Sequence, residues 1–145
     1  MNDERLRAYG KLATEAAGLE MMMFSVTRAA VGGSYRVYRA IAGGLSFDQL
    51  ASLLTRVLEA RDLLEDDARA WIASCRKVMS QRNGILHAMP DDASERIVSR
   101  RSHPGVRTVP TVEVLAVARS ANELIAFGAA TLMFRFQDAV GTGGA

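Results

Sequence analysis

The side chains best suited to chemistry lie within six consecutive positions, from Arg82 through Asn83 to His87. Each residue of a helix turns by about 100°, so Asn83 and His87 lie one above the other, with Arg82 beside them on the same polar arc. Arginine binds phosphate through two parallel hydrogen bonds, and histidine gains or loses a proton near neutral pH. This motif predicts a site for an anionic substrate whose reaction needs proton transfer.

Two neighbouring residues constrain the motif. Gly84 within a helix costs about 1 kcal/mol relative to Ala, which predicts that another group approaches the backbone closely there. Pro90 disfavours helical angles at Met89. We therefore expect the motif to occupy the last two turns of its helix.

Composition excludes several classes of protein. The chain has 145 residues, the size of one domain, with a single cysteine, Cys75, and two histidines. This excludes an internal disulfide framework and leaves few ligands for zinc, although carboxylate-bound Mg²⁺ stays open by counting. The acidic start resembles no signal peptide, and the apolar run 124–134 is shorter than the roughly 20 residues that span a bilayer. We expect a cytoplasmic protein with no metal, no cofactor and no membrane partner.

Charge is unevenly distributed along the chain. Sixteen of the eighteen basic residues are arginine, and the formal net charge is +2. Residues 96–107 and 28–39 contain arginines and no acid, whereas residues 59–67 are mostly acidic. A polarised surface of this kind can attract anionic ligands, but on charge alone we favour ordinary solvated helix ends.

Hydrophobic periodicity predicts an all-α bundle of four to five helices. We expect helices over residues 3–31, 35–42, 46–60, 62–87 and 111–138, with a capping box formed by Ser46 and Gln49 and a cap at Thr111. Between residues 89 and 111 the helical period fails, which predicts a short β-hairpin or loop excursion between the last two long helices. Trp71 and Cys75 are interpreted as core residues. The prediction is one domain over residues 1–140 and a flexible tail over residues 141–145.

The motif resembles a known signature. Arg82, followed by Asn83, three further residues and then His87, is similar to the Arg-x4-6-His signature of the HEPN superfamily. The order of motif-bearing helix, excursion and final long helix resembles that family over residues 62–138. The resemblance implies a homodimeric helical bundle and a metal-independent endoribonuclease in which Arg82, Asn83 and His87 are catalytic.

The expected chemistry uses the 2′-hydroxyl of RNA as the nucleophile. His87 would transfer a proton, Arg82 would bind the phosphate and stabilise the developing charge, and Asn83 would orient the imidazole or hold a phosphate oxygen. A two-fold dimer supplies the second histidine that separate acid and base roles require. The excursion's arginines would clamp the RNA backbone; these are Arg100, Arg101 and Arg107.

Three other interpretations stay open. Cations in a last helical turn stabilise the helix macrodipole, which would make Arg82 and His87 an ordinary helix end. The chain could be a noncatalytic HEPN-like dimerisation module that binds a protein, a nucleotide or RNA. It could also be a helical assembly protein without a ligand. The ribonuclease interpretation allows a toxin or phage-defence role, with an antitoxin or other protein partner.

Overall fold

The structure, a computed structural model, describes residues 2–88 and 109–141, and every regular element in these ranges is a helix. The elements in chain order are α1 (Asp3–Val31), α2 (Tyr35–Ala42), α3 (Phe47–Ala60), α4 (Asp66–His87), α5 (Thr111–Phe127), a π-helical segment (Gly128–Leu132) and α6 (Met133–Val140). The flanking residues of the π segment keep right-handed helical angles, so α5, this segment and α6 form one continuous rod. The predicted helical bundle is confirmed.

Two predicted segments lie outside the described residues. They are the hairpin between the last two long helices and positions 142–145 of the predicted tail. Among the helices that the structure describes, none combines the length and the apolar character needed to cross a membrane.

Helix α1 is the centre of the bundle and contacts every other described element. Its apolar residues recur at helical spacing, and Leu12, Leu19, Met23 and Val26 are fully buried. Burying a side chain of this size contributes about 1.5–3 kcal/mol. Helix α1 is therefore covered on several sides by the other described helices.

Local sequence sets the start of α1 and α3. Asn2 caps α1, because its Oδ1 accepts a hydrogen bond from the Arg5 backbone N–H at 2.8 Å. At α3 the Ser46 hydroxyl accepts from the Gln49 backbone N–H at 3.2 Å, and the Gln49 side chain accepts from the Ser46 backbone N–H at 2.9 Å. The predicted capping box is confirmed.

Two helix starts differ from the prediction. Helix α4 begins at Asp66 rather than Asp62, because the chain leaves α3 through Asp62, whose φ of 57° is left-handed. Such a residue ends a helix and delays the next one. The cap of α5 is Pro110 rather than Thr111, because Pro110 is extended and Thr111 is already helical.

Two polar contacts hold α4 against the final rod. The Trp71 indole N–H donates to the Leu124 carbonyl at 2.9 Å, and the buried ring confirms the predicted packing role. The Arg135 guanidinium donates to both carboxylate oxygens of Asp67 at 2.7 Å. Arg135 also holds the pKa of the Asp67 carboxyl below its usual range. These contacts fix the first half of α4.

Gly128 lies where the final rod approaches α1 and α4. A Cβ at this position would be 2.8 Å from Met22 Cγ and 3.0 Å from Trp71 Cζ2. Only a hydrogen fits there without a shift of the neighbouring side chains. The same rod also buries the small side chains of Ala118 and Ala121 completely.

Gly128→Ala should lower the free energy of unfolding by up to about 2 kcal/mol. Overpacking against Met22 and the rigid Trp71 ring costs about 1–3 kcal/mol, and the better helix propensity of Ala returns about 1 kcal/mol at most. Urea unfolding followed by far-UV circular dichroism measures the change. Gly10→Ala is the control, because a Cβ at Gly10 meets no atom within 4 Å; equal stabilisation of both variants would contradict the proposed close approach.

Candidate functional site

The bundle holds the motif at the end of α4. Arg82, Asn83 and His87 occupy the last two turns of this helix, as predicted. Met79 just before these turns and Ile85 within them are buried in the core, and α4 contacts α1, α3 and α5. The motif therefore lies on a packed helix whose position the fold determines.

Asn83 holds the Arg82 side chain. The Arg82 Nη1 donates to Asn83 Oδ1 at 2.8 Å, so the Asn83 carbonyl oxygen orients the guanidinium and not the imidazole. Arg82 Nε is buried and has no hydrogen-bond partner among the described residues. A buried donor without a partner costs about 1–3 kcal/mol, so this guanidinium favours an additional acceptor.

The charge environment of Arg82 differs from that of Arg76 and Arg135. Arg76 forms an ion pair with Asp48 at 3.0 Å, and Arg135 forms one with Asp67 at 2.7 Å. Arg82 forms no ion pair with a carboxylate of the described residues. Its positive charge is therefore not neutralised within this part of the chain and can attract a phosphate.

Arg82 and Asn83 line a pocket of about 380 Å³ between α1, α3 and α4. We call it the motif pocket. Its remaining wall comes from three helices and consists of Glu20 on α1, Ser46, Phe47 and Asp48 at the start of α3, and Arg76, Met79 and Ser80 on α4. The volume falls in the range of roughly 300–1,000 Å³ that small ligands occupy in proteins.

His87 is exposed and lies outside the motif pocket. Helix geometry places it about 6 Å along the axis from Asn83 and about 40° around it. The structure thus brings Arg82 and Asn83 together and leaves His87 one turn away. A substrate held in the pocket meets this imidazole only if it extends along α4, or if a second chain supplies one.

The chain at the start of α5 is tied to α1 by a residue that sequence reasoning missed. Arg5 Nη2 donates to the Val109 carbonyl at 2.8 Å and to the Tyr9 hydroxyl at 3.3 Å. This contact fixes the point where the excursion rejoins the bundle. The RNA-clamp residues predicted within the excursion lie outside the described residues; these are Arg100, Arg101 and Arg107.

The described residues offer no other obvious reactive group. Cys75 is fully buried, and burial raises the pKa of its thiol to about 12, so it stays protonated and its predicted core role is confirmed. The described residues also contain no group of three or more His, Cys, Asp or Glu side chains arranged to hold a metal ion. The chemistry available near the motif pocket is that of Arg, Asn, Ser and carboxylate side chains.

Comparison with known proteins gives no independent support for the family resemblance of the motif. No protein-family model matches the chain, and no curated protein or solved structure matches it. The HEPN resemblance of Arg82, Asn83 and His87 therefore stays a prediction.

Sequence reasoning missed most of the motif pocket. Glu20, Phe47 and Arg76 are far apart in the chain and come together only because three helices pack side by side. In the sequence alone each has an ordinary interpretation. Glu20 is typical of an exposed acid, Phe47 of an apolar residue after a helix cap, and Arg76 of an exposed base. The one sequence signal for the pocket was the acid Asp48 near the start of α3. This acid is explained equally well by its favourable interaction with the helix dipole.

Gly84 contradicts one expectation within the described part of the chain. A Cβ added there would meet no atom within 4 Å, so no described residue approaches this part of the backbone closely. The helix-propensity cost of this glycine is not offset by packing among the described residues.

Gly84→Ala should raise the free energy of unfolding by about 1 kcal/mol, because Ala favours the helix and its methyl group enters open space. Urea unfolding at several protein concentrations measures this. Gly10→Ala provides a matched control, since Gly10 is also helical and open. A loss of stability in Gly84→Ala alone, increasing on dilution, would contradict the expectation and would place a second chain against Gly84.

Proposed function

We propose that the protein is a metal-independent endoribonuclease that acts as a homodimer, with Arg82 and His87 at a composite site. One observation carries the proposal. Asn83 orients the Arg82 guanidinium beside an open pocket, and no carboxylate of the described residues neutralises it. An oriented, unpaired arginine is suited to bind a phosphodiester and to stabilise charge on its oxygens.

The proposed reaction is an internal displacement at phosphorus. The 2′-oxygen of RNA loses its proton to an imidazole and forms a bond to phosphorus, while the bond from phosphorus to the 5′-oxygen breaks. The leaving 5′-oxygen accepts a proton from a second imidazole. The products are a 2′,3′-cyclic phosphate and a 5′-hydroxyl, and the charge of the phosphate is unchanged.

The position of His87 supports a composite site. In one chain His87 lies outside the pocket that Arg82 lines, and the motif contributes one imidazole per chain. A two-fold axis next to the end of α4 would place the partner's His87 opposite Arg82. The dimer would thereby bring an imidazole close to Arg82 and also supply the second proton-transfer group.

The same observation favours a second candidate function. A pocket with an oriented arginine and no adjacent imidazole can bind a phosphate without cleaving it. The alternative is therefore a noncatalytic dimerisation module that binds RNA, a nucleotide or a protein partner. If the ribonuclease proposal holds, a toxin or phage-defence role would appear as growth arrest on expression, relieved by an antitoxin encoded beside the gene.

Chelator-resistant RNA cleavage is the expected activity. Purified protein in EDTA should cleave RNA, His87→Ala should lower the rate by about 10²–10⁴-fold through loss of proton transfer, and Arg82→Ala by about 10²–10³-fold through loss of charge stabilisation. The readout is denaturing gel electrophoresis together with detection of 2′,3′-cyclic phosphate ends.

Arg36→Ala is the matched control, because Arg36 is an exposed arginine of α2 outside the motif pocket. It should cleave like wild type. Absence of cleavage across varied structured and single-stranded RNAs, with the dimer intact by light scattering, would contradict the ribonuclease and leave the binding module. A monomer by the same measurement would contradict the composite site.

Mixing wild type with His87→Ala should lower activity more than the dilution of wild-type chains alone explains. In an equal mixture, random exchange of subunits makes half the dimers hybrid and leaves a quarter wild type. Each hybrid has one imidazole where the proposed reaction uses two, so activity should be about a quarter of that of wild type at the same total concentration. Native mass spectrometry verifies the hybrids. Activity of about half of wild type would show that each His87 acts without its partner's and would contradict the composite site.

A further inference from the structure

Besides the Arg76–Asp48 ion pair, the walls of the motif pocket carry two opposite charges that are not paired with each other. Glu20 on α1 and Arg82 on α4 both line it, yet they form no ion pair within 4.0 Å. Glu20 also has no ion pair with any other described residue. The pocket therefore presents a hydrogen-bond acceptor with negative charge at one side and a positive donor at the other, with space between them.

One wall of the pocket is held rigidly. Arg76 Nε donates to Asp48 Oδ1 at 3.0 Å, and its Nη2 donates to the Ser52 hydroxyl at 2.8 Å. These bonds join α4 to the first two turns of α3. Phe47, next to Asp48, packs against the core and is half-buried, so part of its surface faces the pocket as a fixed aromatic group.

We infer that the motif pocket binds the nucleobase attached to the phosphate that Arg82 holds, and that it selects a base with an exocyclic amino group. The inference rests on the proposed function for the origin of the phosphate. A nucleotide has an anionic phosphate at one end and amino donors on adenine, cytosine and guanine at the other. Arg82 matches the first and the Glu20 carboxylate accepts from the second.

Phe47 completes the recognition of a base. Single-stranded bases that a protein reads are stacked on aromatic side chains while their edges are hydrogen-bonded. Asn83 keeps its amide N–H₂ group as a donor, because its oxygen is engaged by Arg82. Uracil lacks an amino group and offers two carbonyl acceptors, so it leaves the Glu20 carboxylate with fewer donors than the other three bases do.

The direct test is binding of the four ribonucleoside 3′-monophosphates to the full chain, measured by isothermal titration calorimetry. The adenine, cytosine and guanine nucleotides should bind about tenfold more tightly than the uracil nucleotide. Glu20→Gln should remove that difference, because the neutral amide accepts more weakly from an amino group than the carboxylate does and its N–H₂ group can donate to a uracil carbonyl. Phe47→Leu should weaken all four by about tenfold through loss of stacking.

Glu59→Gln is the matched control, because Glu59 is an exposed carboxylate at the far end of α3 and the substitution changes the net charge equally. It should bind all four nucleotides like wild type. Glu20 is exposed, so Glu20→Gln should fold normally, and circular dichroism verifies this for both variants. Equal binding of the four nucleotides, no saturable binding, or a preference that survives Glu20→Gln would overturn the inference.

Cleavage measured in parallel separates the two proposals. RNA cleavage in EDTA with no preference at the base before the cut, together with equal binding of the four nucleotides, would refute base selection and leave the ribonuclease intact. A nucleotide preference that depends on Glu20, without cleavage of any RNA, would support the pocket and refute the ribonuclease.

Discussion

The close approach of Gly128 to Met22 and Trp71 determines how three helices sit together. Because no side chain intervenes, the final rod packs directly on α1 and on the first half of α4. A helix is stiff over a few turns, so fixing α4 at Trp71 also fixes Arg82, about 16 Å further along the axis. The geometry of the motif pocket thus depends on a glycine three turns away from it.

The arginines of the bundle have different structural roles because their hydrogen-bond and ion-pair partners differ. Arg135 and Arg76 are paired with carboxylates and join one helix to another. Arg82 is paired with a neutral amide, which orients the guanidinium without neutralising its charge. An arginine already paired with a carboxylate has little attraction left for a phosphate, whereas one held by an amide keeps it. This difference in partner makes Arg82 the best candidate for binding an anion.

The groups proposed for phosphate binding and for proton transfer lie on different turns of α4. The motif pocket is built from the side of the helix that faces α1 and α3, and it holds Arg82 and Asn83. His87 lies on the next turn and is exposed. A single chain therefore provides the parts needed to hold a phosphate, and the proximity of an imidazole depends on what lies against the end of α4. The ribonuclease and the binding module differ in this one respect.

The sequence by itself determined the helices and the place of the motif on them. Hydrophobic spacing and the capping box at Ser46 act over one or two turns, so they can be recognised without knowing the fold. The core roles of Trp71 and Cys75 were predictable for the same reason. The late start of α4 was not, because it depends on the left-handed residue Asp62.

Only the tertiary structure decided which charges are neutralised and which groups share a pocket. Nothing local distinguishes Arg76 from Arg82, yet α3 brings Asp48 to the first and not to the second. Likewise, the open space at Gly84 and the meeting of Glu20, Phe47 and Arg82 depend on how helices pack. Contacts between residues distant in the chain arise from the mutual placement of whole helices, which periodicity along one helix does not encode.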